Sequence, residues 1–177
     1  MKKLAIIFLC LAAGAAFAKI NVGDPAPDFT LPDIRTGEKV SLSQFRGQVV
    51  VLHIWKVCSG RCRASIEHLK KLDSEILREI FPDLEEVQYQ FGPLLKILSV
   101  NAINSPRRVR AVADKYQLDY QVMEGRGSGI ARDYQITVLP QIYVIDKEGI
   151  IRFIEMYPDY DDLQETVTPL ITEIVGR

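Results

Sequence analysis

The 177-residue sequence carries little excess charge, with 22 basic and 23 acidic side chains and no basic stripe. Proteins that bind nucleic acid need clustered positive charge, so this balance argues against that class. The sequence also lacks internal repeats and low-complexity segments. Beyond the first 18 residues, no apolar run approaches the roughly 20 residues that span a membrane. An apolar content of 47% is typical of one ordinary packed domain.

The start of the chain differs from the rest. A short basic stretch, Met1–Lys3, precedes the apolar run Leu4–Phe17, and Ala16-Phe17-Ala18 supplies the small residues that a signal peptidase reads. The run is short for a membrane span. We therefore predict a secretory signal peptide over residues 1–18 and one domain over 19–177, with an uncleaved N-terminal anchor as the alternative. Cleavage leaves 20 basic against 23 acidic side chains, a net charge of −3, and no stable membrane insertion.

Cysteine is scarce, with three in the chain. Cys10 falls in the signal segment, which leaves Cys58 and Cys62 as one close pair in a compartment where disulfides persist. Cys58 precedes a predicted helix and is the candidate nucleophile, because a helix N-terminus favours a thiolate. Cys62, in the first turn, is the candidate resolving thiol, and Arg61 and Arg63 add positive charge. A disulfide closing so small a loop adds little stability, so redox or metal use is favoured.

Periodicity predicts an α/β architecture. Buried apolar runs predict strands, helical spacing predicts helices, and Ser105-Pro106 is a typical helix start. The segment from 21 to 33 is predicted to be an extended N-terminal extension. The predicted strands cover residues 39–42, 48–55, 94–100, 141–146 and 150–156, and the predicted helices cover 62–80, 105–116 and 161–175. This order gives a mixed central sheet with helices on both faces.

Four segments together carry a resemblance to a known family. They are Gly23–Leu31, Ser41–Gly47, Trp55–Cys62 and Val138–Gly149. The chain resembles the thioredoxin-like proteins of the TlpA/ResA type, in the AhpC/TSA-Redoxin superfamily, which are exported bacterial thiol-disulfide oxidoreductases. The resemblance covers nearly all of the domain and implies a thioredoxin-like fold.

The resemblance also implies an activity and a location. It implies a periplasmic, monomeric enzyme of the bacterial cell envelope that exchanges a Cys58–Cys62 disulfide with protein thiols, without any other cofactor. An electron donor in the membrane and a role in cytochrome c maturation or redox homeostasis follow from the same analogy. Pro140 matches the family's cis-proline, which faces the active-site disulfide. The resemblance thus assigns catalytic roles to Cys58, Cys62 and Pro140.

One departure from the family keeps other functions open. The family spaces its cysteines C-x-x-C, whereas this chain has C-x-x-x-C, with Ser59 in the usual register of the attacking sulfur. A Sco-type copper chaperone would bind Cu(I) through Cys58 and Cys62, although no histidine follows His68 to complete that site. A peroxiredoxin-like peroxidase needs Thr or Ser three residues before its cysteine, where this chain has Trp55. A binding module that has lost its redox activity is the third alternative.

Two further side chains on the strand before the cysteines have alternative interpretations. His53 is expected to be packed or hydrogen-bonded in a buried strand rather than to ligate a metal. Trp55 either shields the redox site or packs in the core. The other histidine, His68, is expected on a partly solvated helix face.

Overall fold

A five-stranded mixed sheet organises the computed structural model, which describes residues 19–57, 66, 95–156 and 160–176. A separate antiparallel hairpin pairs the first two strands, and the five-stranded sheet has the order β5-β4-β3-β6-β7. The strands are β1 (Thr30–Pro32), β2 (Lys39–Ser41), β3 (Val49–Trp55), β4 (Leu95–Asn101), β5 (Gln121–Glu124), β6 (Gln141–Ile145) and β7 (Ile151–Met156). The helices are a 3-10 turn (Leu42–Phe45), α1 (Pro106–Lys115), α2 (Ile130–Asp133) and α3 (Tyr160–Gly176).

The direction of the strands makes the sheet mixed, as the sequence predicts. Strands β3, β4 and β5 run parallel, and β6 runs antiparallel to both β3 and β7. All seven residues of β3 are buried, which explains why its sequence is apolar apart from His53, since a central strand covered on both faces has no solvent-exposed side. Helix α1 begins at Pro106 after Ser105, as predicted.

Two apolar cores lie on opposite faces of the sheet. One contains α1 and α3 residues such as Val109 and Ile171, packed on the odd-numbered side chains of β3. The other contains residues of the β1–β2 hairpin and of α2, such as Leu31 and Ile130, packed on the even-numbered side chains. Helices therefore cover both faces, although on the second face α2 is only four residues long and the N-terminal hairpin covers much of the rest.

Several predictions fall outside the described residues. The signal segment 1–18, both cysteines and His68 are among them, as is the helix predicted over 62–80 apart from Ile66, which is helical and buried. In the part of the chain that the structure describes, no helix has the length and apolar character needed to cross a membrane.

Candidate active site

The central strand β3 leads the chain directly toward Cys58. Strand β3 lies where the strand order reverses, with β4 on one side and β6 on the other. In open α/β sheets, sites form at the carboxyl ends of the strands beside such a reversal. Cys58 follows the last residue of β3, Trp55, by three positions. The two cysteines themselves lie outside the described residues, so their roles stay predictions.

Two asparagines fix the chain as it leaves β3. The backbone N–H of Val57 donates to Asn104 Oδ1 at 2.6 Å, and that of Ala102 donates to the Trp55 carbonyl at 3.1 Å. Asn101 Oδ1 in turn accepts from the Asn104 N–H at 2.8 Å. The loop after β4 is thereby tied to the residue immediately before Cys58. Sequence reasoning missed both asparagines, although an Asn closing a buried apolar strand is a usable signal.

Pro140 lies at the same edge of the sheet. The Leu139–Pro140 peptide is cis, as the family resemblance implies. Gln141 pairs with Ile54 across β6 and β3, and continuing that antiparallel register by one residue places Pro140 beside Trp55. The fold therefore brings Pro140 to the strand end that precedes Cys58, while its catalytic role stays a prediction.

A buried hydrogen-bonded network supports the strand that follows Pro140. The Tyr143 hydroxyl donates to Gln141 Oε1 at 2.7 Å, and the Tyr134 hydroxyl donates to the Pro27 carbonyl at 2.7 Å. The two tyrosine rings meet edge to face, with centroids 5.1 Å apart. Burial raises the pKa of Tyr143 to about 12, so its hydroxyl stays a donor at neutral pH. Sequence reasoning did not identify this network.

His53 is packed in the buried strand, as predicted. It is completely buried, and neither ring nitrogen has a hydrogen-bond partner among the described residues. Its ring lies nearly parallel to that of Trp55, at 3° with centroids 6.1 Å apart. Burial lowers the pKa of His53 to about 3, so the imidazole is neutral at physiological pH. Of the two predicted environments, packed or hydrogen-bonded, the described residues show the packed one.

Trp55 belongs to the core on the same face. It is buried in one cluster with Ile66 and Val109, which is the core-packing interpretation of this residue; its role in shielding a redox site stays a prediction. Across the described ranges, no group of three or more His, Cys, Asp or Glu side chains is arranged to hold a metal ion. Cys58 and Cys62 lie outside these ranges, so the copper alternative stays a prediction.

Comparison with known proteins gives a consistent set of relatives. The AhpC/TSA family matches residues 22–154. The thioredoxin-like protein YneN of Bacillus subtilis is 31% identical over 140 residues, covering 77% of this chain and 72% of its own. A thiol-disulfide oxidoreductase ResA of Bacillus thuringiensis is 24% identical over 90% of this chain and 89% of its own. A chloroplastic peroxiredoxin Q of Populus jackii is 28% identical over 78% of this chain and 61% of its own.

Solved structures share the fold. A Bacteroides thetaiotaomicron protein assigned as a protein disulfide isomerase superposes with a TM-score of 0.72 at 20% identity, covering 89% of this chain and 92% of that one. A secreted thiol-disulfide isomerase from Corynebacterium glutamicum gives a TM-score of 0.65 at 20% identity, covering 82% and 84%. At such low identity these structural similarities establish the thioredoxin-like fold but not the chemical activity.

Proposed function

Because the chain belongs to the AhpC/TSA family and is a thioredoxin-like thiol-disulfide oxidoreductase, we propose that it exchanges a reversible Cys58–Cys62 disulfide with protein thiols. The observation that carries this proposal is the convergence at the end of β3. The β3–β6 register, continued by one residue, brings Pro140 beside Trp55, which precedes Cys58 by three positions in the sequence. Asn104 accepts a hydrogen bond from the N–H of Val57, which immediately precedes Cys58. These contacts hold the two described residues at the end of β3 and its extension in one geometry, and an exchange reaction benefits from such positioning of the chain that leads into its reacting group.

The proposed reaction transfers two electrons between the cysteine pair and a substrate disulfide. The Cys58 thiolate attacks a substrate disulfide, forms a mixed disulfide and releases the first substrate sulfur as a thiolate, which takes a proton. Cys62 then loses its proton and attacks the Cys58 sulfur, which forms the Cys58–Cys62 disulfide and releases the second substrate thiol. The substrate gains two electrons and the enzyme loses them. The reverse sequence oxidises a dithiol, and the reduction potential of the pair decides the direction.

The proposal includes export to the periplasm. It is supported by the sequence of residues 1–18 and by the structural likeness to a secreted thiol-disulfide isomerase. An isolated cysteine pair is useful there, since disulfides form and persist in that compartment. A membrane-bound electron donor and a role in cytochrome c maturation or redox homeostasis complete the proposal by family analogy.

Trapping of the mixed disulfide tests the proposal. Cys62→Ala removes the resolving thiol, so this variant should accumulate one glutathione adduct on Cys58 when mixed with oxidised glutathione, as read by intact mass. Cys58→Ala should form no adduct at a comparable rate, and Ser59→Ala in the Cys62→Ala background is the matched control that should still form it. Faster adduct formation by Cys58→Ala would reverse the two cysteine roles, and no adduct in any variant would contradict the exchange activity.

The peroxidase alternative has one observation in its favour, the similarity to peroxiredoxin Q. Against it, Trp55 stands three residues before Cys58, where peroxidatic chemistry needs Thr or Ser. Incubation of the reduced chain with hydrogen peroxide and a dithiol separates the two functions. Catalytic peroxide consumption that depends on Cys58 would favour the peroxidase, whereas disulfide exchange without it favours the oxidoreductase.

A further inference from the structure

Three exposed arginines lie at the edge of the sheet where β3, β4 and β5 end. Arg107 and Arg108 are in the first turn of α1, which follows β4, and Arg126 comes two residues after the end of β5. Neither ion pair found among the described residues involves any of the three, so they have no acidic partner there. We refer to Arg107, Arg108 and Arg126 together as the basic cluster.

Backbone hydrogen bonds hold the segments that carry the basic cluster side by side. Asn101 and Glu124, the last residues of β4 and β5, are paired, and the N–H of Gly125 donates to the Asn101 carbonyl at 2.9 Å. The N–H of Ala102 donates to the carbonyl of Trp55, the last residue of β3, at 3.1 Å. The basic cluster therefore flanks the edge from which β3 leads the chain toward the cysteines.

The positive charge at this edge is local. The segments that leave the three strands, 56–57, 101–108 and 124–129, carry four basic side chains and one acidic side chain, whereas the whole chain has a net charge of −1. A further acidic residue at this edge, Glu155, belongs to β7, which lies two strands away from β3 on the other side of the sheet. The described part of the edge around β3, β4 and β5 is therefore positive.

Helix stability does not explain the two arginines of α1. A helix N-terminus carries a partial positive charge, so acidic side chains stabilise its first turn and basic side chains destabilise it. The first turn of α1 contains no acidic residue and carries Arg107 and Arg108 instead. Both are exposed, so core packing does not require them. Features that work against local stability occur mainly at functional sites, which favours a binding role for this pair.

An exposed isoleucine accompanies the charges. Ile103, in the loop between β4 and α1, is 52% exposed. A polypeptide gains free energy when it covers apolar surface, whereas a small inorganic anion does not. A surface that combines cations with an apolar side chain therefore fits a polypeptide that carries carboxylates.

We propose that the basic cluster binds an acidic segment of the protein substrate, and so selects partners whose reactive disulfide is flanked by Asp or Glu. The inference rests on the disulfide exchange proposed above and adds the chemical class of its substrate. Complementary charge across an interface accelerates encounter and disfavours partners of the wrong sign. The arginines bind the substrate chain and take no part in the making or breaking of sulfur bonds.

A nuclear magnetic resonance titration tests the binding surface without requiring any exchange. The isotope-labelled protein, kept reduced at low ionic strength, is titrated with a cysteine-free peptide of alternating glutamate and glycine, and separately with the corresponding lysine peptide. The glutamate peptide should shift the backbone amide signals of residues 101–108 and 125–129. The lysine peptide should leave these signals in place.

The double variant Arg107→Gln with Arg108→Gln tests the charges themselves. The attraction between two unit charges roughly 10 Å apart in water changes binding by about twofold, so the loss of both arginines should weaken binding of the glutamate peptide by about fourfold or more. Arg126→Gln should weaken it by about twofold. The double variant should unfold at no lower urea concentration than the parent, because it removes two cations from a helix N-terminus.

Lys96→Gln with Lys115→Gln is the matched control, because it removes the same total charge. Lys96 is the second residue of β4 and Lys115 is the last residue of α1, so both lie at the opposite ends of the elements that flank the loop. This control should lose less affinity than the double arginine variant. Equal losses, no shift in residues 101–108 and 125–129, or equal shifts with the lysine peptide or with inorganic phosphate would each overturn the inference.

Exchange with charged substrates then connects binding to function. Two peptide disulfides that differ only in having glutamate or lysine beside the cysteines are compared as substrates of the reduced protein. The glutamate disulfide should react faster, and the double arginine variant should reduce this preference. A chain that exchanges both disulfides equally fast overturns the inference alone. A chain that exchanges neither contradicts the proposed function, and the peptide titration then decides the inference by itself.

Discussion

Acidification should destabilise this fold through His53. The imidazole is completely buried with a pKa of about 3, whereas in the unfolded chain its pKa is about 6.5. Between these two values the unfolded state binds a proton that the folded state does not. The free energy of unfolding therefore falls as the pH drops through about 6.5, and the loss levels off near the folded-state pKa.

The magnitude follows from the distance below the unfolded-state pKa. At pH 5 that distance is about 1.5 units, and each unit is worth about 1.4 kcal/mol, so His53 alone should cost about 2 kcal/mol relative to pH 7. The folded-state pKa is far enough below pH 5 that the native imidazole remains neutral. A loss of this size is a large fraction of the roughly 5–15 kcal/mol that stabilises a typical domain.

Urea unfolding of the oxidised protein at both pH values provides the assay. The comparison chain is His53→Leu, which removes the titrating group at similar volume, while the carboxylates and His68 are common to both chains and cancel. The native protein should lose about 2 kcal/mol more than His53→Leu between pH 7 and pH 5. Equal losses in the two chains would refute the reasoning, because they would mean that the pKa of His53 is the same in the folded and unfolded states.

Three other predictions concern the site and the chain terminus. Asn104→Ala removes the acceptor for the Val57 N–H. It should lower the free energy of unfolding in urea by about 1 kcal/mol and slow disulfide exchange. Asn104→Asp keeps an acceptor oxygen, so both effects should be smaller in that variant. The exported protein should begin at Lys19, and an intact mass that includes residues 1–18 would contradict cleavage. Cu(I) should bind weakly in a competition titration, because no histidine follows His68; tight stoichiometric binding that needs both cysteines would favour the copper chaperone.

The sequence predicts secondary structure best for strands whose residues are all, or nearly all, buried. Strands β3, β4 and β6 are predicted within a residue or two, because a strand covered on both faces is apolar nearly throughout. Strand β7, in which only Ile151 is buried, is predicted instead from the tight turn at 147–149 that joins it to β6 as a hairpin. Strand β5 was missed, since Gln121–Glu124 contains only two buried residues and owes its structure to pairing with β4. Helix α2 was missed as well, because four residues are too few to show helical periodicity.

The site was predictable only in part, for a different physical reason. The cis bond at Pro140 came from family resemblance, since X–Pro bonds are trans in most cases. The hydrogen bond from Val57 to Asn104 joins residues 47 positions apart, and that from Tyr134 to Pro27 joins residues 107 apart. Such pairs leave no local pattern in a single sequence. Similarly, the burial of His53 is predictable from its strand, but the lack of a hydrogen-bond partner for its ring among the described residues is not.

A redox titration of the whole chain tests the central claim most directly. The protein is equilibrated with glutathione mixtures from fully reduced to fully oxidised, free thiols are alkylated after acid quenching, and intact mass counts the labels. With Cys10→Ser in place, the account predicts a single two-electron transition between two labels and none, reversible in both directions, that disappears in Cys58→Ala and in Cys62→Ala. A pair that keeps both labels in oxidised glutathione would contradict it.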